Sequence, residues 1–241
     1  NNAQASNTFS NVYDQYGIKQ SGSDELTNAS ASFKYDALGR IVEKDYGAGH
    51  SIKYIYNDQN QVQDKLIDGV DYRYSYDQLS QITHLRISNN QNTNTLSFSY
   101  SYDDEGRILS ETDNHTIKYY DYTQIGQLKN YTCTEMSLPE SYCPRDVNGI
   151  AISSSRYSYD GLNNLTTIDK HYEDGTNAQA TYSYANTDPT QLSYYSDLAN
   201  QLDVGFSYDH NGNMLNDQNG NTISYDPLDN IQSVTSGDGI T

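Results

Sequence analysis

The sequence predicts an all-β chain, a meander of antiparallel β-hairpins forming a curved or spiral single-layer sheet, the wall of something hollow. Three observations carry that prediction. Short segments alternate an aromatic residue with a small or polar one, as in Tyr72-Arg73-Tyr74-Ser75-Tyr76 and Phe98-Ser99-Tyr100-Ser101-Tyr102. A period of two puts the rings on one sheet face, whereas a helix would scatter them around its cylinder. The segments end in Tyr-Asp, with Gly or Asn at the fourth position after the Tyr and an aliphatic residue at the sixth. The unit then recurs, mostly at intervals of roughly 20 to 26 residues, the mark of a repeat architecture.

Taken in order, residues 1–12 read as a polar tail. Tyr13-Asp14-Gln15-Tyr16-Gly17-Ile18 is a first, irregular unit whose aliphatic residue comes one place early. Regular units follow at Tyr35-Asp36 with Gly39 and Ile41, Tyr76-Asp77 with Ile82, and Tyr102-Asp103 with Gly106 and Ile108. Others stand at Tyr159-Asp160 with Asn163 and Leu165, Tyr208-Asp209 with Gly212 and Met214, and Tyr225-Asp226 with Ile231. Looser copies begin at Tyr56, Tyr122 and Tyr184. Residues 13–235 thus hold about ten units, on the order of 20 strands, and 236–241 form a C-terminal tail.

Each Asp opens a turn by accepting a backbone N–H two residues on. The Gly or Asn supplies a left-handed backbone at low cost. A second strand leaves the turn, as in Arg40-Ile41-Val42-Glu43, and ends in a signal of its own. Gly47-Ala48-Gly49, Asp68-Gly69, Asp113-Asn114, Asp174-Gly175 and Asn219-Gly220 are the candidates. Residues 132–153, which carry Cys133, Pro139, Cys143 and Pro144, read as an insertion between repeats. The Asn-rich stretch 88–95 reads as a hairpin tip.

Composition sets the energetics. Only 34% of the 241 residues are hydrophobic on a count that includes 25 Tyr, with four Phe, two Met and no Trp, so a thick apolar core is unavailable. Cross-strand aromatic pairs, about 0.2 to 1 kcal/mol each, are expected to hold the sheet, with Tyr rings packing and hydroxyls left in water. A net charge of −18 argues against binding nucleic acid and favours solubility. No apolar run approaches the ~18 residues of a spanning helix, so no membrane insertion by this segment is expected. A β-propeller is the competing architecture, since two units approach a blade period, but odd and even units do not alternate.

No catalytic, metal or cofactor site is expected. The repeated Asp residues are turn acceptors, because catalytic carboxylates do not recur in unit after unit. Asp209-His210-Asn211-Gly212-Asn213 and Asn216-Asp217-Gln218-Asn219-Gly220 have the oxygen-rich look of cation loops but lack the closing Glu. His50, His84, His115, His171 and His210 are not paired at metal spacing. Cys133 and Cys143 are either inert thiols or a small-loop disulfide. Periodic rings could stack on sugars, but they run along the whole chain rather than clustering in a cleft.

Tyr35-Asp36-Ala37-Leu38-Gly39-Arg40-Ile41 resembles the core of the YD repeat, also called the RHS repeat, and so do the units at Tyr208 and Tyr225. The resemblance covers residues 13 to 235. A narrower one, through Tyr142-Cys143-Pro144-Arg145-Asp146, the unit at Tyr159 and Asp188-Pro189-Thr190-Gln191-Leu192, is to the C components of bacterial insecticidal toxin complexes. It implies a secreted shell segment that encapsulates a toxic C-terminal effector. The implied partners are the rest of its own RHS shell, the enclosed toxin domain, and the B and A components. The family's self-cleaving aspartyl protease region would need Asp-Pro and spaced glycines. Asp226-Pro227 lies in an ordinary repeat and Gly237 and Gly239 do not fit, so the resemblance implies no enzyme here. Related shells in teneurins imply the alternative of a surface adhesion or carbohydrate-binding module.

Overall fold

The structure, a computed structural model, describes residues 9–24, 29–89, 95–136 and 142–237. The chain divides into two compact units, Asn1–Asn114 and His115–Thr241. Among the described residues both are built of β-strands and turns, with one short 3-10 segment at Leu198–Asn200.

Unit 1 holds β1 (Phe9–Tyr13), β2 (Lys19–Asp24), β3 (Ala29–Tyr35), β4 (Ile41–Asp45) and β5 (Ser51–Tyr56), followed by β6 (Val62–Ile67), β7 (Val70–Tyr76), β8 (Ile82–Asn89), β9 (Thr95–Tyr102) and β10 (Ile108–Thr112). Each strand pairs antiparallel with the next. Unit 2 runs in the same way through β11 (Thr116–Tyr122), β12 (Leu128–Glu135), β13 (Ile152–Tyr159), β14 (Leu165–Tyr172), β15 (Asn177–Ser183), β16 (Tyr194–Asp197) and β17 (Leu202–Gly205). It ends in a hairpin of β18 (Thr222–Tyr225) and β19 (Ile231–Thr235), reached through isolated bridges at Tyr208–Met214 and Asn216–Thr222. The expected antiparallel meander of hairpins is the observed fold.

The alternation in sequence becomes an alternation in exposure. In β7, Tyr72, Tyr74 and Tyr76 are half-buried while Arg73 and Ser75 are exposed. Within a strand neighbouring rings lie side by side: Tyr54 and Tyr56 at 6.4 Å, Tyr74 and Tyr76 at 6.5 Å. Across strands Tyr120 meets Tyr131 at 5.6 Å and Tyr182 meets Tyr195 at 4.8 Å. Asp68-Gly69 takes two successive positive φ values, 47° and 86°, which suits the twist of the hairpin it closes.

Three expectations need correction. Strand β1 begins at Phe9, inside the residues read as a polar tail, because five residues with an aromatic at each end carry too little alternation to be recognised. The insertion read at 132–153 is shorter. β12 runs on to Glu135, β13 resumes at Ile152, and within the gap an Arg145–Ala151 bridge encloses a repeat-type turn at Asp146. Gly149 there has φ 80°, and the Asp146 N–H donates to the Ile150 carbonyl at 3.1 Å. Arg145 stands where a Tyr normally would, which hid the unit. The tyrosine hydroxyls are not simply left in water, as the junctions below show. Pro139, and residues 90–94 of the stretch read as a hairpin tip, lie outside the described residues.

What core there is sits in unit 2. Tyr131, Cys133, Cys143 and Ala151 are buried together, with Tyr120 and Tyr157 packed against them. Cys133 and Cys143 form a disulfide, the loop-closing alternative. The segment it ties down is also held by Glu135, whose Oε1 accepts the N–H groups of Tyr142 (2.7 Å) and Cys143 (2.8 Å). Tyr142 stacks on His115 with ring centres 3.9 Å apart.

Candidate functional site: the hairpin-to-hairpin junctions

The repeated element is a junction, and in the regular units it is assembled from three residues. The first is the tyrosine. A register shift falls immediately before it, between Lys34 and Tyr35, Ile55 and Tyr56, Ser75 and Tyr76, and Ser158 and Tyr159. Such a bulge bends the strand and re-aims the side chain that follows. The tyrosine hydroxyl then donates to a backbone carbonyl of the preceding unit. Tyr35 reaches Lys19 O at 2.7 Å, Tyr56 reaches Ile41 O at 2.8 Å, Tyr76 reaches Val62 O at 2.7 Å and Tyr102 reaches Ile82 O at 2.7 Å. In unit 2 Tyr159 reaches Leu128 O at 2.7 Å, Tyr184 Leu165 O at 3.1 Å, Tyr208 Leu192 O at 2.9 Å and Tyr225 Met214 O at 2.9 Å.

The acceptor is nearly always the sixth residue after the previous repeat tyrosine, the aliphatic position of the motif. Even after Tyr13, where the aliphatic residue Ile18 comes early, the sixth residue, Lys19, supplies the carbonyl. Its backbone address, not its side chain, decides. Repeat tyrosines stand two strands apart, roughly 9 to 10 Å, too far for their rings to stack. The hydroxyl is the part that can cross to the neighbouring strand. Partial burial raises the phenol pKa of Tyr76, Tyr102 and Tyr208, with a further push at Tyr102 from the Asp77 carboxylate.

The second residue is the aspartate. Asp36 Oδ1 accepts the N–H groups of Leu38 and Arg40, both at 2.9 Å. The same pair of bonds, to the second and fourth residues on, recurs at Asp77, Asp103, Asp160, Asp209 and Asp226. Asp146 and Asp217 make it too, without a tyrosine before them. These bonds account for the carboxylates. The Asn164 side chain, with the Asn164 and Leu162 N–H groups, holds the Asp160 pKa below its ordinary value against partial desolvation. At Asp226 the Asn230 N–H leads, followed by the Asn230 side chain and the Leu228 N–H.

The turn closes on a left-handed residue: Gly39 (φ 78°), Gly106 (83°) and Gly212 (88°), but also Asn60, Ser80, Asn163 and Asp229 between 62° and 69°. A Cβ at Gly39 would meet nothing, so that position requires glycine only for its backbone. At Gly106 a Cβ would lie 2.9 Å from the Gln81 side-chain nitrogen of the preceding turn.

That glutamine belongs to a third position, the fifth after the tyrosine, which sequence reasoning passed over. Its side chain returns to the aspartate and reaches forward to the next turn. Arg40 donates from Nε to Asp36 Oδ2 (2.7 Å) and from a terminal nitrogen to Asn60 Oδ1 (2.6 Å), with its guanidinium 4.4 Å from the Tyr56 ring centre. Asn213 bonds Asp209 Oδ2 (3.0 Å) and Asp229 Oδ1 (2.8 Å). Asn164 bonds Asp160 Oδ2 and Pro189 O, both at 2.9 Å. Adjacent turns are thus linked by polar side chains while adjacent strands are linked by phenols. The signal was present as Arg, Gln or Asn at one position, but the residue type varies too much to stand out.

Outside the junctions, Lys170 and Asp197 form a buried pair at 2.5 Å, and Asp197 also accepts from Asn200 Nδ2 (2.7 Å) and Tyr195 OH (3.1 Å). Although desolvation works the other way, the Lys170 ammonium and the Asn200 amide keep the Asp197 pKa low. Glu135, Cys143 and Glu173 come within metal-ligating range of one another, but the Cys143 sulfur is committed to Cys133. A concavity of about 690 Å³ is lined by residues of two turns, including Asp188, Gln191, Tyr208 and Asn211. No helix of the described residues is long and apolar enough to cross a membrane.

The fold and its junctions define a class, a Tyr-Asp repeat β-meander, and solved structures share the fold. Against the crystal structure of TcdB2-TccC3-Cdc42 the TM-score is 0.72 at 17% identity, over 95% of this chain and 12% of the other. TcdB2-TccC3 gives 0.70 at 16% identity over 95% and 12%. The Photorhabdus luminescens Tc holotoxin pore carrying a TccC3 mutation gives 0.68 at 15% over 94% and 12%. The chain therefore has the fold of a segment of these toxin-complex proteins and spans 12% of their chains. The sequence matches no protein-family model and no curated protein.

Proposed function

We propose that this chain is a length of shell wall that encloses a toxic C-terminal effector, as part of a secreted bacterial toxin. The observation that carries the reading is the junction itself. Phenol-to-carbonyl bonds join hairpin to hairpin by one repeated rule, so a sheet of this kind extends by adding units and needs no thick core. Support comes from the likeness of fold to structures that contain TcdB2 and TccC3. On this reading the partners are the remainder of the shell, the enclosed domain and companion toxin-complex components. The role is mechanical, with the repeated carboxylates occupied in turns.

The test is to produce the full reading frame to which this segment belongs and to challenge it with protease. The proposal expects a hollow particle in electron micrographs and a C-terminal segment that survives digestion until the wall is unfolded. A C-terminal segment cleaved at once, or a solid particle, would count against it. Binding to a glycan array by the 241-residue chain would favour the adhesion reading instead.

A further inference from the structure

The junction rule leaves two ends open. Among the described residues β1 pairs only with β2, and β19 only with β18. Among the described residues the Tyr13 hydroxyl has no acceptor, and the Ile231 carbonyl, at the sixth position after Tyr225, receives no tyrosine. Neither strand contains a charged residue or a proline, the usual devices that keep an edge strand from pairing. Every residue of β1 is exposed, as are Ile231 to Val234 of β19.

The registers within the chain say how these edges would meet. From unit to unit, the eighth residue after one repeat tyrosine stands opposite the third residue before the next. The pairs are Ser21–Ser32, Glu43–Lys53, Asp64–Arg73, His84–Ser99, Asn130–Arg156 and Thr167–Thr181. Applied to β19 and the β1 of another copy, the rule sets Ser233 opposite Ser10. Val234 then faces Phe9, Gln232 faces Asn11 and Ile231 faces Val12. Apolar meets apolar and polar meets polar at all four positions. Phe9, Val12, Ile231 and Val234 are 67%, 55%, 61% and 51% exposed, so each pair would cover surface that now faces water. The serine pairs Ser10–Ser23 (2.8 Å) and Ser224–Ser233 (2.7 Å) would become one continuous line.

The geometry points to two mutually complementary edges: β19 of one copy takes β1 of a second copy, head to tail, with Tyr13 donating to the neighbour's Ile231 carbonyl. The contact is heterologous, so it leaves a free edge at each end and propagates. It rests on the edges and their register and not on what the wall encloses; in a longer chain flanking hairpins would occupy the same edges by the same rule.

Sedimentation of the 241-residue chain over a concentration series tests it. The weight-average mass is expected to rise beyond that of a dimer. Phe9→Lys and Val234→Lys, each blocking one edge at an exposed position, should each sediment as monomers with unchanged circular dichroism. Mixed in equal amounts they should form dimers and stop there, because each supplies the edge the other lacks. Tyr13→Phe should weaken association roughly fivefold, the loss of one ordinary hydrogen bond. A chain that stays monomeric throughout, or charge variants that fail to complement on mixing, would overturn the inference. So would either lysine variant still associating as the parent does.

Discussion

Asp36 illustrates the logic at the scale of one residue. Its two oxygens accept two backbone N–H groups and the Arg40 Nε, and the chain turns there as a result. Gly39 completes the turn with φ 78° and open space around its missing Cβ. Since Asn60 and Asn163 hold the same backbone conformation, Gly39→Asn should change stability by less than about 0.5 kcal/mol, while Gly39→Val should cost about 1 to 2 kcal/mol. Urea midpoints of the two variants check this. Lys170 is a different case, since its ammonium faces a carboxylate with no exposure at all. Lys170→Met should destabilise by about 3 kcal/mol by leaving Asp197 charged and underpaired, and Lys170→Met with Asp197→Leu should recover most of the loss. The same denaturation series reads both.

At the scale of the element, the hairpin is stable only as one of a series. Each contributes a carbonyl to the next and a phenol to the previous one, and few side chains are fully buried. The stretch between β12 and β13 differs, because its unit has Arg145 in place of the tyrosine and holds a disulfide. There a disulfide and the Glu135 carboxylate tie the chain back, and the small core of Tyr131, Cys133, Cys143 and Ala151 forms beneath. Closing a loop of this length is worth about 2 to 3 kcal/mol through the unfolded state. Replacing both cysteines by serine should lower unfolding stability by that amount and raise hydrogen exchange first at residues 142–151. Uniform loss of protection along the chain would show that the disulfide supports more than its own segment.

At the scale of the whole molecule, the junctions make opposite demands on pH. Asp160, Asp209 and Asp226 have lowered pKa values, so the stability they contribute is present above the unfolded carboxyl value near 4 and is lost as pH falls through their folded values. Tyr76, Tyr102 and Tyr208 have raised values through partial burial. Their contribution is present below the unfolded phenol value near 10 and is lost as pH rises through the folded ones, when the donor proton leaves. Urea midpoints between pH 3 and 12 should show a plateau with a fall at each end. The alkaline fall should be reduced where the junction tyrosines have been replaced by phenylalanine.

Much of this was legible in the sequence. Tyr-Asp with Gly or Asn four residues after the Tyr gave strand, turn and left-handed closure, because each rests on local backbone chemistry. What joins one unit to the next was not legible. Tyr56 bonds the backbone of Ile41, and a main-chain carbonyl leaves no residue type to read. The reach of Arg40, Gln81 and Asn213 to the following turn was missed because three unlike side chains do one job. The turns at Asp146 and Asp217 were not recognised as units of the repeat, although Asn219-Gly220 read as a turn, because Arg145 and Asn216 occupy the tyrosine position.

The direct measurement of the central claim is the unfolding free energy of two triple variants of one chain. Tyr35, Tyr56 and Tyr76 all donate across junctions, whereas the Tyr54, Tyr72 and Tyr74 hydroxyls find no acceptor among the described residues. Changing the first three to Phe should cost about 3 kcal/mol, and changing the second three should cost less than about 1 kcal/mol. Equal losses from the two sets would show that ring packing, and not the phenol-to-carbonyl bond, holds the sheet together.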